Sequence, residues 1–194
     1  MDKAVFLDRD GVINYPVLNP KTNEYEAPHN EKDLKLFPGV IGSLKELLEL
    51  NYKLFLISNQ PDCAKGKTSL EGLQSVQKKL NSIFLKKNII FTEYYYCYHH
   101  PQGIVSEYST VCECRKPGNL FLRKARLQYS LNMPSSWMIG DRDSDIHCGQ
   151  SMGLKTILIK QFHSDGKSGQ SNPEYKADDL TKAVSIIKAN TGRN

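Results

Sequence analysis

Two aspartates separated by a single arginine are the residues of this sequence best suited to catalysis. Asp8 and Asp10 follow the apolar run of residues 4–7, which predicts that both carboxylates lie at the end of a buried strand. One carboxylate can attack an electrophile while the other transfers a proton, so the pair predicts covalent catalysis with acid–base assistance. The structural alternative is an aspartate-rich loop that caps the next element.

A second acidic group follows a later apolar run. Asp141, Asp143 and Asp145 occupy alternate positions after residues 137–139. Hard cations such as Mg²⁺ prefer oxygen ligands and usually take one or two protein carboxylates. The segment therefore predicts a cation site that not all three acids need to join, with Asp143 or Ser144 as a helix cap as the structural alternative.

Two shorter polar segments have the chemistry to contact a phosphate group. Ser58, Asn59 and Gln60 follow the second predicted strand, where a hydroxyl and backbone amides can hold phosphate oxygens. Arg115 and Lys116 stand next to a predicted helix start, where an anion is favoured. The alternatives are a common turn for the first segment and exposed surface for the second.

Cysteine and histidine residues form two close pairs joined by an irregular segment. The set suited to a tetrahedral Zn²⁺ ion consists of Cys97, His99, Cys112 and Cys114. A closed shell of four ligands leaves no position for water, so we expect a structural role. His100 is a competing ligand, and Cys63 and Cys148 are left over as ordinary thiols. Because Cys114 precedes Lys116 by two residues, a zinc-bound loop would fix where that lysine points.

The elements between these segments alternate between strands and helices. Predicted strands cover residues 4–7, 53–57, 94–96, 137–139 and 155–159. Predicted helices cover residues 40–50, 69–86, 120–131, 143–152 and 179–189. Such alternation is typical of a parallel sheet covered by helices on both faces, in which ligands bind beyond the carboxyl ends of the strands. The acidic segments lie at such ends.

Two long segments fall outside this alternation. Residues 15–38 contain four prolines and no sustained period, which predicts a loop or flap that is either functional or disordered. Residues 161–173 are rich in Ser, Gly and Lys, which predicts a mobile surface loop.

Length and composition narrow the class of protein. A chain of 194 residues with 39% hydrophobic and 24% charged residues fits one globular domain. The net charge of +5 comes from scattered Lys and Arg, so we expect no nucleic-acid partner. No apolar run is long enough to span a bilayer, and the first residues lack a signal-peptide pattern. Five cysteines without an export signal indicate a reduced, cytoplasmic protein, which we expect to be a monomer.

The polar segments together resemble the haloacid-dehalogenase (HAD) phosphatase superfamily. Its pattern is Asp-x-Asp after the first strand, Ser or Thr after the second, a downstream Lys, and Gly-Asp-x-x-x-Asp after a later strand. The matching residues are Asp8, Asp10, Ser58, Lys116, Asp141 and Asp145. The resemblance implies a Rossmann-like, three-layer α/β fold with a parallel sheet and no large cap domain, formed by residues 1–194 as one unit.

The resemblance also implies roles. Asp8 would attack the phosphorus and form an aspartyl-phosphate, while Asp10 protonates the leaving alkoxide and then activates the water that releases phosphate. Mg²⁺ would be held by the Asp8 carboxylate, the Asp10 backbone carbonyl and Asp141. Ser58 and Lys116 would stabilise the charge on the transferring group. The alternative from another class, a catalytically idle phosphate-binding module, should lack Asp8, Asp10 or Lys116, and all three are present.

The cysteine-rich segment resembles that of one particular group within this superfamily. It is similar to that of the D-glycero-D-manno-heptose 1,7-bisphosphate phosphatases, capless enzymes with a zinc-bound loop, here residues 97–117, over the active site. That family implies a sugar bisphosphate as substrate and removal of its 7-phosphate. Histidinol-phosphate phosphatases share the cysteine pattern with a shorter loop, and they remain the alternative.

Five residues are candidates for substrate binding, and some of them lie where the sequence departs from that family. They are Asn59, Gln60, Lys65, Arg115 and Arg142. Pro61 and Asp62 stand where the family usually has Ser-Gly, and Lys65 replaces an Arg, which keeps the charge but loses the bidentate fork. Arg142 stands where heptose enzymes often have Lys, whereas Gly-Asp-Arg occurs in histidinol phosphatases. We expect these positions to influence substrate choice.

Overall fold

The computed structural model describes residues 1–164 and 166–191. Strands β1–β8 cover Lys3–Leu7, Val17–Asn19, Glu24–Glu26, Tyr52–Asn59, Glu93–Cys97, Trp137–Gly140, Lys155–Ile159 and Tyr175–Ala177. Helices α1–α5 cover Val40–Glu49, Leu70–Leu85, Leu120–Tyr129, Asp143–Gln150 and Leu180–Asn190. Short 3₁₀ turns cover Ser106–Tyr108, Met133–Ser135 and Phe162–Ser164.

Six strands form one parallel sheet in the order β5-β4-β1-β6-β7-β8. The central strand β1 pairs with β4 on one side and with β6 on the other, so that Leu7 lies opposite both Leu56 and Ile139. This register brings the carboxyl ends of β1, β4 and β6 to the same edge. The segments that follow these strands therefore meet in space, as the sequence predicts.

Helices cover both faces of the sheet because the side chains of each strand alternate between them. On one face, Val5 and Leu7 of β1 pack with buried residues of α1, α2 and α5. On the other face, Ala4 and Phe6 pack with α3 and α4. A strand that is buried on both faces has a continuous run of apolar residues in its sequence. Residues 4–7 have this pattern and are all buried. The predicted three-layer α/β architecture is confirmed.

Some helices begin or end at residues other than the predicted ones, because backbone conformation and capping hydrogen bonds set their ends. Helix α3 ends at Tyr129 rather than at Leu131, because Ser130 adopts the left-handed conformation with φ 50° and ψ 48°. Helix α2 begins after Ser69, whose hydroxyl accepts a hydrogen bond from the Gly72 N–H at 3.2 Å. Strand β8 was not predicted, because its three residues are too few for a period.

The segment between β1 and α1 covers residues 8–39. It was predicted as a loop or flap, and the structure adds a short antiparallel hairpin in which β2 pairs with β3. Residues 1–164 and 166–191 contain no separate cap domain. Across the same residues, no helix is both long enough and apolar enough to cross a membrane.

Candidate active site

Three carboxylates meet at the carboxyl edge of the sheet. Asp8 follows β1, Asp141 follows β6, and Asp145 lies in the first turn of α4. Each offers an oxygen atom, and these atoms lie within 4.8 Å of one another. All three side chains are buried, so their mutual repulsion is only weakly screened by water. The cluster needs positive charge to be stable.

Lys116 supplies part of that charge. Its Nζ lies 2.7 Å from Asp8 Oδ1 and 2.6 Å from Asp145 Oδ1, and it donates to the Ile57 carbonyl at 2.8 Å. Burial works to lower the pKa of Lys116, but the charges of Asp145 and Asp8 outweigh it and raise the pKa. The side chain therefore stays cationic beside Asp8.

Asp141 has the properties of a cation ligand. Burial and the charge of Asp8 raise the pKa of Asp141 to about 7, which marks a carboxylate short of positive charge. The hydroxyl of Ser164 donates to its Oδ2, whereas its buried Oδ1 has no hydrogen-bond partner within residues 1–164 and 166–191. Two neighbouring carboxylates, Asp8 and Asp141, thus fit a hard divalent cation.

The other acids of this segment have protein partners. Besides Lys116, Asp145 accepts a hydrogen bond from the Arg142 N–H at 3.0 Å. Asp143 turns away and accepts from the N–H groups of Gly169 and Gln170 at 3.1 and 2.9 Å. Asp143 therefore anchors the loop predicted over 161–173, of which Asp165 lies outside the described residues.

Gly11 is required by the closeness of these groups. Its φ of +91° lies in the left-handed region that favours glycine. A Cβ at this position would lie 2.4 Å from Asp141 Oδ2, which is closer than atoms can approach. The glycine after Asp10 thus allows the β1 loop to pass directly beside Asp141.

Asn59 holds the backbone of Lys116. Its Oδ1 accepts from the Lys116 N–H at 3.0 Å, and its Nδ2 donates to the Lys116 carbonyl at 3.1 Å. The same residue lines the pocket over Asp8. The end of β4 therefore positions the lysine by contacts that the sequence did not predict.

Ser58 and Gln60 lie beneath the pocket floor. Both are buried, and Gln60 Nε2 donates to Ser58 Oγ at 2.9 Å and to Asp10 Oδ2 at 2.7 Å. Because the serine oxygen accepts this bond, its own proton remains available for donation. Gln60 was predicted to bind substrate, but the structure places it among these buried side chains, in contact with Asp10.

The pocket over Asp8 continues into a second, larger pocket. The two share Asp10, Asn59 and Arg142. The second pocket is also lined by Lys65, Lys67 and Lys167, and by Tyr25 of the hairpin. The predicted flap therefore forms one wall of this pocket.

The remaining predicted substrate-binding residues divide into two groups. Lys65 and Arg142 line the second pocket. Arg115 instead donates from Nη1 to the His99 carbonyl at 3.4 Å and does not line either pocket in the described part of the chain. Its closeness to His99 suits a role in supporting the cysteine-rich loop.

Comparisons with known proteins agree with this geometry. A protein-family profile described as HAD-hydrolase-like matches residues 113–183. A D-glycero-alpha-D-manno-heptose-1,7-bisphosphate 7-phosphatase from Photorhabdus laumondii is 35% identical over 162 residues, covering 83% of this chain and 84% of the relative. The D-glycero-beta-D-manno-heptose-1,7-bisphosphate 7-phosphatase of Escherichia coli K12 is 31% identical, covering 95% of this chain and 93% of the relative.

The chain belongs to the HAD-like phosphatases.

A solved structure supports the fold of this phosphatase. The D,D-heptose 1,7-bisphosphate phosphatase from B. bronchiseptica, crystallised with magnesium and phosphate, superimposes with a TM-score of 0.80. The match covers 97% of this chain and 99% of that chain at 19% sequence identity. The phosphatase thus shares the overall fold of that protein.

The cysteine-rich loop of the phosphatase brings the four predicted zinc ligands together. The Sγ atom of Cys114 lies 3.2 Å from that of Cys97 and 3.3 Å from that of Cys112. His99 Nδ1 lies 3.4 Å from Cys114 Sγ. With Zn–S and Zn–N bonds of about 2.3 and 2.0 Å, four donor atoms this close fit a tetrahedral zinc ion. His100, the competing ligand, is not part of the cluster.

Sequence reasoning missed an ion pair that joins the flap to the loop after β4. His29 Nε2 lies 2.9 Å from Asp62 Oδ2. The hydrogen bond to Asp62 raises the pKa of His29. Burial works to raise the pKa of Asp62, but the contact with His29 and the charges of nearby lysines outweigh it and lower that pKa. The isolated His29 lies in a segment without a motif, so no sequence signal identified the pair.

The ion pair predicts a pH-dependent contribution to stability. A raised pKa in the folded state means that the His29 contribution is complete below about pH 6.5 and is lost as pH rises through the raised pKa. A lowered pKa means that the Asp62 contribution is present above about pH 3.9 and is lost at lower pH. We expect His29→Gln to lower the free energy of unfolding by about 1 kcal/mol near pH 5.5, and by less above pH 8.

Urea denaturation at the two pH values measures this difference. His147→Gln is the matched control, because that histidine is exposed and outside the flap. Glu26 and Lys67 also face His29, so Lys67→Gln should be measured in parallel. An equal loss of stability at both pH values for His29→Gln would contradict the assignment.

Proposed function

We propose that this phosphatase removes the 7-phosphate of D-glycero-D-manno-heptose 1,7-bisphosphate. The observation that carries the proposal is a catalytic pocket that adjoins a second pocket lined by four cations and four acids. Three of those acids, Glu24, Glu26 and Asp62, are already paired with Lys67 or His29. A sugar with a phosphate at each end suits such a pair of pockets, with one phosphate at Asp8 and the other among the cations. The names of the relatives described above support the same substrate.

Some of the cations that line the second pocket are not neutralised by an acidic partner, so they can bind an anion. Lys67 is paired with Glu26, with which it makes a short contact, and lies 3.4 Å from Glu24. Burial and the charge of Arg142 lower the pKa of Lys167. A cation disfavoured in this way gains stability when an anion binds. Lys65, Arg142 and Lys167 are therefore our candidates for the second phosphate.

The same charges argue against histidinol phosphate, the alternative from the sequence. That substrate has one phosphate and an ammonium group, so it offers no second anion to Lys65, Arg142 and Lys167. Like charges at short distance in a partly enclosed pocket are unfavourable.

The contacts around Asp8 suit phosphoryl transfer in two steps. Asp8 attacks the phosphorus as the bond to the sugar oxygen breaks, and Asp10 gives its proton to that oxygen. Asp10 then takes a proton from water, which attacks the aspartyl-phosphate and releases phosphate. Lys116 neutralises charge at Asp8 Oδ1, and the buried Ser58 hydroxyl, whose proton is free, would donate to a phosphate oxygen bound at the base of the pocket. A Mg²⁺ ion bound by Asp8, Asp141 and the Asp10 carbonyl would offset the remaining negative charge.

We further propose that the four-residue cysteine and histidine cluster binds a structural zinc ion. The cluster is followed directly by Arg115 and Lys116, so the bound ion would hold the lysine backbone in place from one side while Asn59 holds it from the other. Residues 1–194 would act as one phosphatase domain with residues 97–117 as an inserted loop. A cytoplasmic monomer without nucleic-acid or membrane partners is consistent with the composition.

A comparison of substrates tests the proposed activity. We expect kcat/KM with Mg²⁺ to be at least 100-fold higher for one anomer of heptose 1,7-bisphosphate than for histidinol phosphate, which corresponds to about 2.7 kcal/mol. Both anomers are required, because the relatives differ in anomer. A preference for histidinol phosphate would contradict the substrate and leave the mechanism intact.

Lys65→Gln separates the two phosphates of the substrate. We expect this variant to lose roughly 10-fold or more in kcat/KM for the bisphosphate and little for heptose 7-phosphate, since a charge-assisted contact is lost only with the former. Lys45→Gln, on the exposed face of α1, is the matched control. An equal loss on both substrates would place Lys65 outside the second phosphate site.

Zinc content tests the proposed structural site. We expect protein purified without chelator to contain equimolar zinc, and Cys112→Ser to lose the metal together with thermal stability, because a structural zinc contributes directly to folding. Cys148→Ser, a buried thiol outside the cluster, should retain zinc. Equal zinc content in both variants would contradict the site.

A further inference from the structure

The carboxylate of Asp10 is held by three side chains. Arg9 donates from Nη2 to Oδ1 and Oδ2 at 3.1 and 3.0 Å, and from Nε to Oδ1 at 3.2 Å. Gln60 Nε2 donates to Oδ2 at 2.7 Å, and Asn14 Nδ2 donates to Oδ1 at 2.8 Å. Both oxygens therefore accept hydrogen bonds from at least two directions, which fixes the plane of the carboxylate.

The three donors form a rigid frame behind Asp10. Arg9, Asn14 and Gln60 are all fully buried, whereas Asp10 is 8% exposed and lines the catalytic pocket. The Arg9 carbonyl accepts from the Asn14 N–H at 3.1 Å, and Arg9 Nη2 donates to Gln60 Oε1 at 2.8 Å. The Gln60 N–H donates to the Cys97 carbonyl at 2.7 Å. The frame thus links the β1 loop to the ends of β4 and β5.

A buried arginine such as Arg9 contributes little net stability to the folded state. The desolvation of two charges offsets most of their attraction, so an apolar pair of similar volume would often serve as well. Arg9 Nη1 also has no hydrogen-bond partner in the described part of the chain, which adds a further cost. Such a residue next to a reactive carboxylate indicates a role in the reaction.

We propose that Arg9 is a positioning residue that, with Gln60 and Asn14, directs the Asp10 carboxyl toward the leaving oxygen of the substrate. This inference rests on the proposed function, in which Asp10 is the proton donor. In that step the bond from Asp8 to phosphorus forms, the bond from phosphorus to the sugar oxygen breaks, and the proton passes from Asp10 to that oxygen. A misdirected Asp10 would leave an alkoxide to depart unprotonated.

The leaving group of the substrate provides the test. A sugar alkoxide needs a proton to leave, whereas 4-nitrophenolate leaves readily without one. We expect Arg9→Met to lower kcat/KM for heptose 1,7-bisphosphate by roughly 10- to 100-fold, and for 4-nitrophenyl phosphate by less than about 3-fold, since general acid catalysis contributes 10²–10⁴-fold. Arg9→Lys should recover part of the loss, because it restores the charge without the fork.

Two further measurements separate positioning from damage to the fold. In the Asp10→Asn background, Arg9→Met should cause no additional loss on the sugar substrate, because the group it directs is gone. Asn14→Leu, which removes the hydrogen bond to Asp10 Oδ1 without touching Ser58, should show the same substrate dependence. Leu44→Ala, in the core at α1, is the control and should change both substrates equally.

The outcomes distinguish the positioning role of Arg9 from the proton-donor role of Asp10. Equal losses on both substrates for Arg9→Met and Asn14→Leu would overturn the positioning role. If Arg9→Met does not fold, Asn14→Leu decides by itself. If Asp10→Asn loses the same factor in kcat/KM on both substrates, Asp10 is not the proton donor. The proposed mechanism and the positioning role of Arg9 would then both be wrong.

Discussion

A buried lysine placed between two aspartates is the interaction on which the rest of the site depends. Lys116 Nζ lies within 2.7 Å of both Asp8 and Asp145. Removing one partner from a buried group of charges typically costs 3–5 kcal/mol, because the others are left uncompensated. Asp141 adds a third carboxylate to the same cluster. Arg142, whose Nε lies 4.0 Å from Asp141 Oδ2, offsets only part of this charge, since the pKa of Asp141 is still raised. The proposed Mg²⁺ site follows from this excess of negative charge.

The position of Lys116 joins three parts of the fold that are distant in sequence. The parallel register of β1, β4 and β6 brings Asp8, Asn59 and Asp141 to one edge of the sheet. Asn59 fixes the lysine backbone through two hydrogen bonds. The cysteine cluster lies immediately before it in the chain, so a zinc ion bound there would help to fix the position of Lys116. The flap and the loop after β4 form the walls of the neighbouring second pocket.

The sequence predicted the site residues that belong to a short motif at the end of a strand. It missed the residues whose role depends on contacts with distant parts of the chain. Asp8 and Asp141 were identifiable because each follows an apolar run that ends at the same sheet edge. Arg9 was overlooked as the spacer between two aspartates, and nothing in its neighbours reveals that it is fully buried. Ser164 lies in a loop predicted to be mobile, but its hydroxyl contacts Asp141. The parallel sheet and the two layers of helices were predictable, because the alternation of strand and helix periods is a strong signal. The order of the strands in the sheet was not predicted.

The central claim is that Asp8 forms a covalent aspartyl-phosphate beside Lys116. Rapid quenching of a single turnover with heptose 1,7-bisphosphate, followed by mass spectrometry of the acid-treated protein, tests it most directly. We expect a phosphate adduct on the peptide that contains Asp8, absent from Asp8→Asn and longer-lived in Asp10→Asn, because hydrolysis of the aspartyl-phosphate lacks its base. Full turnover by Asp8→Asn, or an adduct on another residue, would contradict the account.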